Sequence, residues 1–122
     1  MIEAQVEKAQ GLLKVRYSGR VGAEETGRGV VDLERLLEEL ERGFRLLADL
    51  SDLEAMDLAC EPDLKRMMDL CNAKGVKLIV RIIPDPSKDI GLNIMSLFHY
   101  RHRVRIVTCQ TLAEGLRILA EP

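Results

Sequence analysis

Residues 44–51 read Phe-Arg-Leu-Leu-Ala-Asp-Leu-Ser, an almost continuous apolar run that follows a glycine and ends at a serine. A strand that is covered on both faces shows such a run, because it has no solvent-facing side on which polar residues would alternate. The stretch therefore predicts a strand over Phe44–Leu50 at the centre of a sheet that has other layers packed against it.

The next element toward the C-terminus is a helix. Pro62 suits the first turn of a helix, where its missing N–H costs nothing, and Gly75 after Lys74 is a typical terminator. One apolar stripe at helical spacing lies between them, formed by Leu64, Met67, Met68 and Cys71. Val76–Ile83 then predicts a second β-branched strand, closed by Pro84-Asp85-Pro86.

Two further elements complete the C-terminal half. Asp85 or Ser87 can cap a helix that ends near His99 or Tyr100. Arg103–Cys109 predicts another strand, and Thr111-Leu112-Ala113-Glu114 is a capping box that opens a final helix.

The N-terminal half predicts a hairpin and one helix. Ile2–Glu7 alternates apolar and polar residues, and Leu12–Tyr17 continues as a second strand after a short turn. Residues 18–22 interrupt this pattern, and apolar residues then recur at helical spacing from Val30 to Leu40, until Gly43 supplies a C-cap.

The order of these elements predicts the fold class. Strand and helix alternate three times after the hairpin, and this order requires a largely parallel sheet with right-handed crossovers. We expect residues 1–122 to form a single α/β domain, with a mixed, mostly parallel sheet of four or five strands and about four helices.

Composition limits the possible partners. The 122 residues carry a formal net charge of -2, with 47% hydrophobic and 31% charged residues, as in an ordinary soluble domain. This charge gives no electrostatic reason to bind a phosphate backbone, so we expect no nucleic-acid partner. With two Phe, two Tyr and no Trp, few rings are available to stack on bases.

The cysteines and the apolar segments predict the compartment. Cys60, Cys71 and Cys109 are odd in number and lack CxxC spacing, which favours reduced thiols in the cytoplasm over disulfides or zinc. The N-terminus has no export-signal pattern, and no apolar run is long enough to cross a bilayer, so no membrane insertion is expected.

Several local sequences resemble the STAS domain of bacterial anti-sigma factor antagonists. Leu47-Ala48-Asp49-Leu50-Ser51 followed by Asp57 resembles the family's central strand and its link to a marker aspartate. Residues 72–80, Asn-Ala-Lys-Gly-Val-Lys-Leu-Ile-Val, and residues 111–116, Thr-Leu-Ala-Glu-Gly-Leu, resemble its second-helix exit and its final helix. The resemblance covers nearly the whole chain and implies the STAS fold.

The chain departs from the family at the phosphorylation site. In phospho-switched members two serines and a glycine follow the marker aspartate, and the second serine accepts the phosphate. Here Leu58, Ala59 and Cys60 follow Asp57, so Ala59 occupies the phosphoacceptor position without a hydroxyl. A kinase cannot switch this chain at that position. The sequence leaves open whether Asp57 serves a partner or only satisfies backbone amides ahead of the helix.

The resemblance implies a non-catalytic regulator that binds an anti-sigma factor or a related switch kinase. The expected contacts are Asp57, Leu58, Ala59 and Cys60. Leu92 and Met95 fall on the outer side of the helix predicted after Asp85, where they would meet a partner or a second copy in a homodimer.

The residues supply little for catalysis or metal binding. His99 and His102 lack the further ligands of a zinc site, and Cys60 has no histidine close in sequence to activate it. We therefore expect no enzyme activity, no metal and no cofactor. Two alternatives stay open: a small-molecule or lipid-binding domain with an apolar cavity between helices and sheet, and a dimeric scaffold.

Overall fold

The computed structural model describes residues 1–85 and 104–121, and these residues form a mixed sheet with helices on both faces. The predicted hairpin is confirmed as β1 (Ile2–Glu7) and β2 (Leu12–Val21), which pair antiparallel with Ile2 opposite Tyr17. Three parallel strands follow. They are β3 (Arg45–Met56), β4 (Leu78–Ile82) and β5 (Arg105–Cys109).

The sheet order is β1-β2-β3-β4-β5, so β3 lies at the centre as its apolar run predicts. Leu46 and Leu50 belong to the core on one face, while Leu47 belongs to the core on the other. The α/β class and the mostly parallel mixed sheet are confirmed.

The described residues contain three α-helices, which we number α1 (Ala23–Leu37), α2 (Glu61–Lys74) and α3 (Leu112–Leu119). The first two pack side by side on one face of the sheet, whereas α3 covers the other face over β4. Pro62 and Gly75 bound α2 as predicted, and Gly75 adopts a left-handed φ of 98°. The helix predicted between Asp85 and Tyr100 lies outside the described residues.

Three predicted boundaries are wrong. The interruption at residues 18–22 is strand as far as Val21, because β2 absorbs its irregular residues as register shifts and keeps pairing with β3. The first helix ends at Leu37, and Gly43 does not cap it but donates its N–H to the Gly75 carbonyl at 2.8 Å.

The third wrong boundary lies after Leu50. The predicted loop from Ser51 to Glu61 is strand as far as Met56, with Ser18 opposite Asp52 and Val21 opposite Met56. Pairing with β2 and burial of Leu53, which is 2% exposed, stabilise this extension. The true link between β3 and α2 is therefore only Asp57 and one turn of 3₁₀ helix over Leu58–Cys60.

Candidate functional site

The link between β3 and α2 carries the residues that the sequence singles out. It lies at the carboxyl end of a parallel strand, the edge of an α/β sheet where binding sites form. Asp57, Leu58 and Ala59 are exposed, and Leu58 retains 82% of its accessible surface. We call these three residues the entry turn, because they lead into α2.

A buried cysteine holds the entry turn in place. Cys60 is fully buried, and its thiol donates to the Val21 carbonyl at 3.6 Å. The Asp57 N–H donates to the same carbonyl at 3.1 Å, and the Cys60 N–H donates to the Asp57 carbonyl at 3.0 Å. Both ends of the turn are therefore fixed to the end of β2, and Leu58 projects from a constrained backbone.

The carboxylate of Asp57 does not cap the helix. It makes no capping hydrogen bond to the 3₁₀ turn, and α2 has no side-chain cap at Cys60 either. A Cβ built at Gly22 would lie 3.7 Å from Asp57 Oδ2, so the carboxylate sits beside the start of α1. The Asp57 carboxylate is therefore not held in place by capping the backbone amides ahead of α2.

A second buried contact joins the first turns of α1 and α2. Thr26 is fully buried, and its hydroxyl donates to Asp63 Oδ2 at 2.8 Å. The two helix starts are held side by side, with Glu24, Glu25 and Glu61 in their first turns. Carboxylates are favoured at helix N-termini. Each of these three is also ion-paired: Glu24 with Arg28, Glu25 with the Met1 amino group, and Glu61 with Lys65.

The thiols are unsuited to nucleophilic chemistry. Burial raises the pKa of Cys71 to about 12, which keeps it protonated at neutral pH. Burial also raises the pKa of Cys109, with a smaller contribution from the charge of Glu114. Cys60 faces a carbonyl inside the protein, in agreement with a core thiol.

Tyr17 is a partly buried titratable group that packs against the core. Burial, together with the neighbouring Cys71, raises the pKa of its hydroxyl well above the ordinary value. That hydroxyl donates to Met67 Sδ at 3.8 Å. It therefore stays protonated and packs inside the core instead of serving as an acid or a base.

Within residues 1–85 and 104–121, no group of three or more His, Cys, Asp or Glu side chains could hold a metal ion. No helix in this part of the chain has the length and apolar character needed to span a membrane.

The structure brings together only part of the predicted contact set. Asp57, Leu58 and Ala59 form one exposed turn, whereas Cys60 supports that turn from inside. Leu92, Met95, His99 and His102 lie outside the described residues. The sequence analysis missed the Val21 carbonyl and the Thr26–Asp63 contact, because both join segments far apart in the chain and carry no local signal.

Comparisons with known proteins identify the fold. No protein-family model and no curated protein matches the chain. An uncharacterized DUF3478-family protein from Shewanella loihica with a SpoIIAA-like fold aligns with a TM-score of 0.73 at 15% identity, over 98% of this chain and 93% of that one.

Two anti-sigma factor antagonists align as well. Unphosphorylated SpoIIAA gives a TM-score of 0.65 at 12% identity, over 99% of this chain and all of its own. An anti-sigma factor antagonist from Mycobacterium paratuberculosis gives 0.62 at 16% identity, over 99% of this chain and 96% of its own. The chain therefore has the SpoIIAA-like fold, which is the STAS fold that its sequence predicts.

Proposed function

We propose that this chain is a non-catalytic regulatory module that binds a protein partner through the entry turn. The partner is an anti-sigma factor or a related switch kinase in the cytoplasm of a bacterium. The likeness in fold to anti-sigma factor antagonists supports the class of partner. The observation that carries the proposal is the fixed, exposed turn of Asp57, Leu58 and Ala59. By the sequence resemblance, Ala59 matches the family's phosphoacceptor position.

The geometry of the turn suits recognition. An interface anchor works best when its conformation is ordered before binding, because less entropy is then lost on association. The Val21 carbonyl fixes the backbone on both sides of Leu58, whose side chain is 82% exposed. We expect Leu58 to enter an apolar pocket on the partner, with Asp57 contacting a polar or basic group at the rim.

The absence of a hydroxyl at Ala59 determines how this binding is regulated. A phosphate at this position would add close to two negative charges and a large solvation shell to an exposed turn, and would block the docking of the partner. Ala59 is exposed and cannot accept phosphate. We propose that binding is constitutive with respect to this position, and that Leu92 and Met95 extend the contact.

The test is a pair of matched substitutions at two helix starts. Affinity purification of the tagged chain from its native host, with mass spectrometry, identifies the partner. Ala59→Glu should then weaken binding by about 100-fold or more, because the new carboxylate mimics phosphate at the turn. Ala113→Glu is the control, since Ala113 is an exposed alanine in the first turn of α3.

The affinities of the two variants for the partner show whether the entry turn is part of the interface. Ala113→Glu should bind as the unmodified chain does, and both variants should melt within a few degrees of it. Equal affinity for Ala59→Glu and Ala113→Glu would remove the entry turn from the interface. Recovery of only the chain itself would count against any protein partner and would favour the dimeric scaffold.

The sequence left two alternatives, a small-molecule or lipid-binding domain and a dimeric scaffold. The described residues enclose a cavity of about 70 Å³ lined by Met67 and Met68. This volume is well below the roughly 300–1,000 Å³ of typical small-molecule sites, so the closed conformation does not favour a resident ligand. The homodimer rests on Leu92 and Met95, outside the described residues, and stays a prediction that solution mass tests.

A further inference from the structure

The inner cavity lies between the sheet and the helices α1 and α2. Among the described residues its lining is apolar except for Tyr17 and Arg81, with Met56 and Met68 contributing flexible side chains. A mostly apolar cavity is available to apolar atoms. At about 70 Å³ it accommodates only a fragment of a ligand unless it opens.

A second space lies directly outside this cavity. A groove of about 310 Å³ runs between β1 and α1. Its floor includes Ile2 and Gly29. Its rim carries Arg28, Asp32, Arg35 and the ion pair of Glu25 with the Met1 amino group. The groove therefore combines an apolar floor with charged groups at its edge.

Three side chains of the described residues line both spaces and lie between them: Val15, Leu33 and Met67. Val15 and Leu33 are branched, whereas methionine is unbranched and bends readily to fill irregular spaces. The Met67 methyl group lies only 2.8 Å from where a Cβ at Gly29 would be, so the glycine makes room for it. Of these three side chains, Met67 is the one best able to move aside.

The rim offers two arginines to the anionic end of a ligand. Arg28 lies 3.8 Å from Glu24 and Arg35 lies 3.7 Å from Asp32, and all four side chains are more than half exposed. Exposed ion pairs of this kind contribute little, so a ligand anion can compete for the arginines. The two volumes together fall in the range of small-molecule sites.

We infer that Met67 is the gate of a binding site for a small amphiphile with an anionic end. The apolar body of the ligand enters the core between the sheet, α1 and α2, and its anion stays at the rim beside Arg28 and Arg35. This site is separate from the entry turn. Binding there requires no protein partner, so the two proposals can fail independently.

The test uses octanoate, below its micellar concentration, and the full chain with ¹³C-labelled methionine methyl groups. The Met56 methyl, which lines the cavity but not the groove, is the reporter. Octanoate should shift this signal saturably, and octylamine should bind at least tenfold more weakly. No saturable shift with octanoate would overturn the site, and equal binding of octylamine would overturn the anionic end.

A matched pair of variants tests the gate without emptying the core. Leucine has a volume close to that of methionine but a stiffer side chain, and such swaps are well tolerated. Met67→Leu should slow the exchange of octanoate at least fivefold. Met68→Leu, which changes a residue that lines only the inner cavity, should leave the rate unchanged. Equal rates in the two variants would overturn the role of Met67.

Discussion

The start of α3 is capped by a side chain, whereas the start of α2 is not. Thr111 caps α3 by accepting the Glu114 N–H at 3.2 Å, and its own hydroxyl lies 3.2 Å from the Glu114 carboxylate. At the start of α2, Asp57 is available as a capping residue, yet its carboxylate makes no such bond. The start of α2 therefore departs from the local capping rule and exposes Leu58, and departures of this kind are expected at functional sites.

The two helices also differ in what holds them to the sheet. Gly115 brings α3 against the sheet, since a Cβ there would lie 2.5 Å from Ile82 Cδ1 and 3.2 Å from Val80 Cγ1. Below its entry turn, α2 is held by buried side chains, among them Leu64, Met68 and Cys71. The body of α2 is packed against the core, whereas Asp57, Leu58 and Ala59 at its start are exposed.

The largest expected effect is a loss of folding stability at high pH, caused by Cys71 in the buried body of α2. Because the folded pKa of Cys71 is raised to about 12, its stabilising contribution is complete below the ordinary thiol pKa of 9.0 and falls as pH rises from there. One such group removes about 2 kcal/mol between pH 7 and about pH 10.5. Urea unfolding across this range should show the loss, and Cys71→Ala should make the dependence shallower. An unchanged slope in that variant would contradict the raised pKa.

The next effect tests how closely α3 packs on the sheet. Two Gly→Ala substitutions, one in α3 and one in α1, should change the stability in opposite directions. Gly115→Ala should destabilise by about 1–2 kcal/mol, because overpacking against Ile82 exceeds the gain in helix propensity. Gly27→Ala should stabilise by about 0.5–1 kcal/mol, since its Cβ would lie 3.9 Å from Asp63 Oδ2, an ordinary contact. Thermal melting measures both. Stabilisation in both variants would show that α3 adjusts its distance from the sheet freely.

The smallest expected effect is the difference in stability between alanine substitutions at the two helix starts. Thr111→Ala should cost about 1 kcal/mol by removing the cap of α3. Asp57→Ala should change stability by less than about 0.5 kcal/mol, because it removes an exposed carboxylate that caps nothing. Denaturant titration of both variants checks this. A loss at Asp57 as large as that at Thr111 would return Asp57 to a structural role.

The amino-acid sequence alone determined the elements that are encoded by nearby residues. The apolar run from Phe44 to Leu50 placed β3 at the centre of the sheet, and Pro62 and Gly75 bounded α2. The capping box at Thr111 placed α3. Each of these signals depends on the backbone and side chains of a few adjacent residues, so no knowledge of distant partners was needed.

The tertiary structure alone decided the extent of β3 and the character of the site. Ser51–Met56 is strand because β2 pairs with it and Leu53 is buried, although its own residues predict a loop. The Val21 carbonyl, which accepts from both Asp57 and Cys60, turned a predicted contact cysteine into an internal support. Pairing and burial between segments far apart in the chain outweigh local preference, and those terms exist only once the chain has folded.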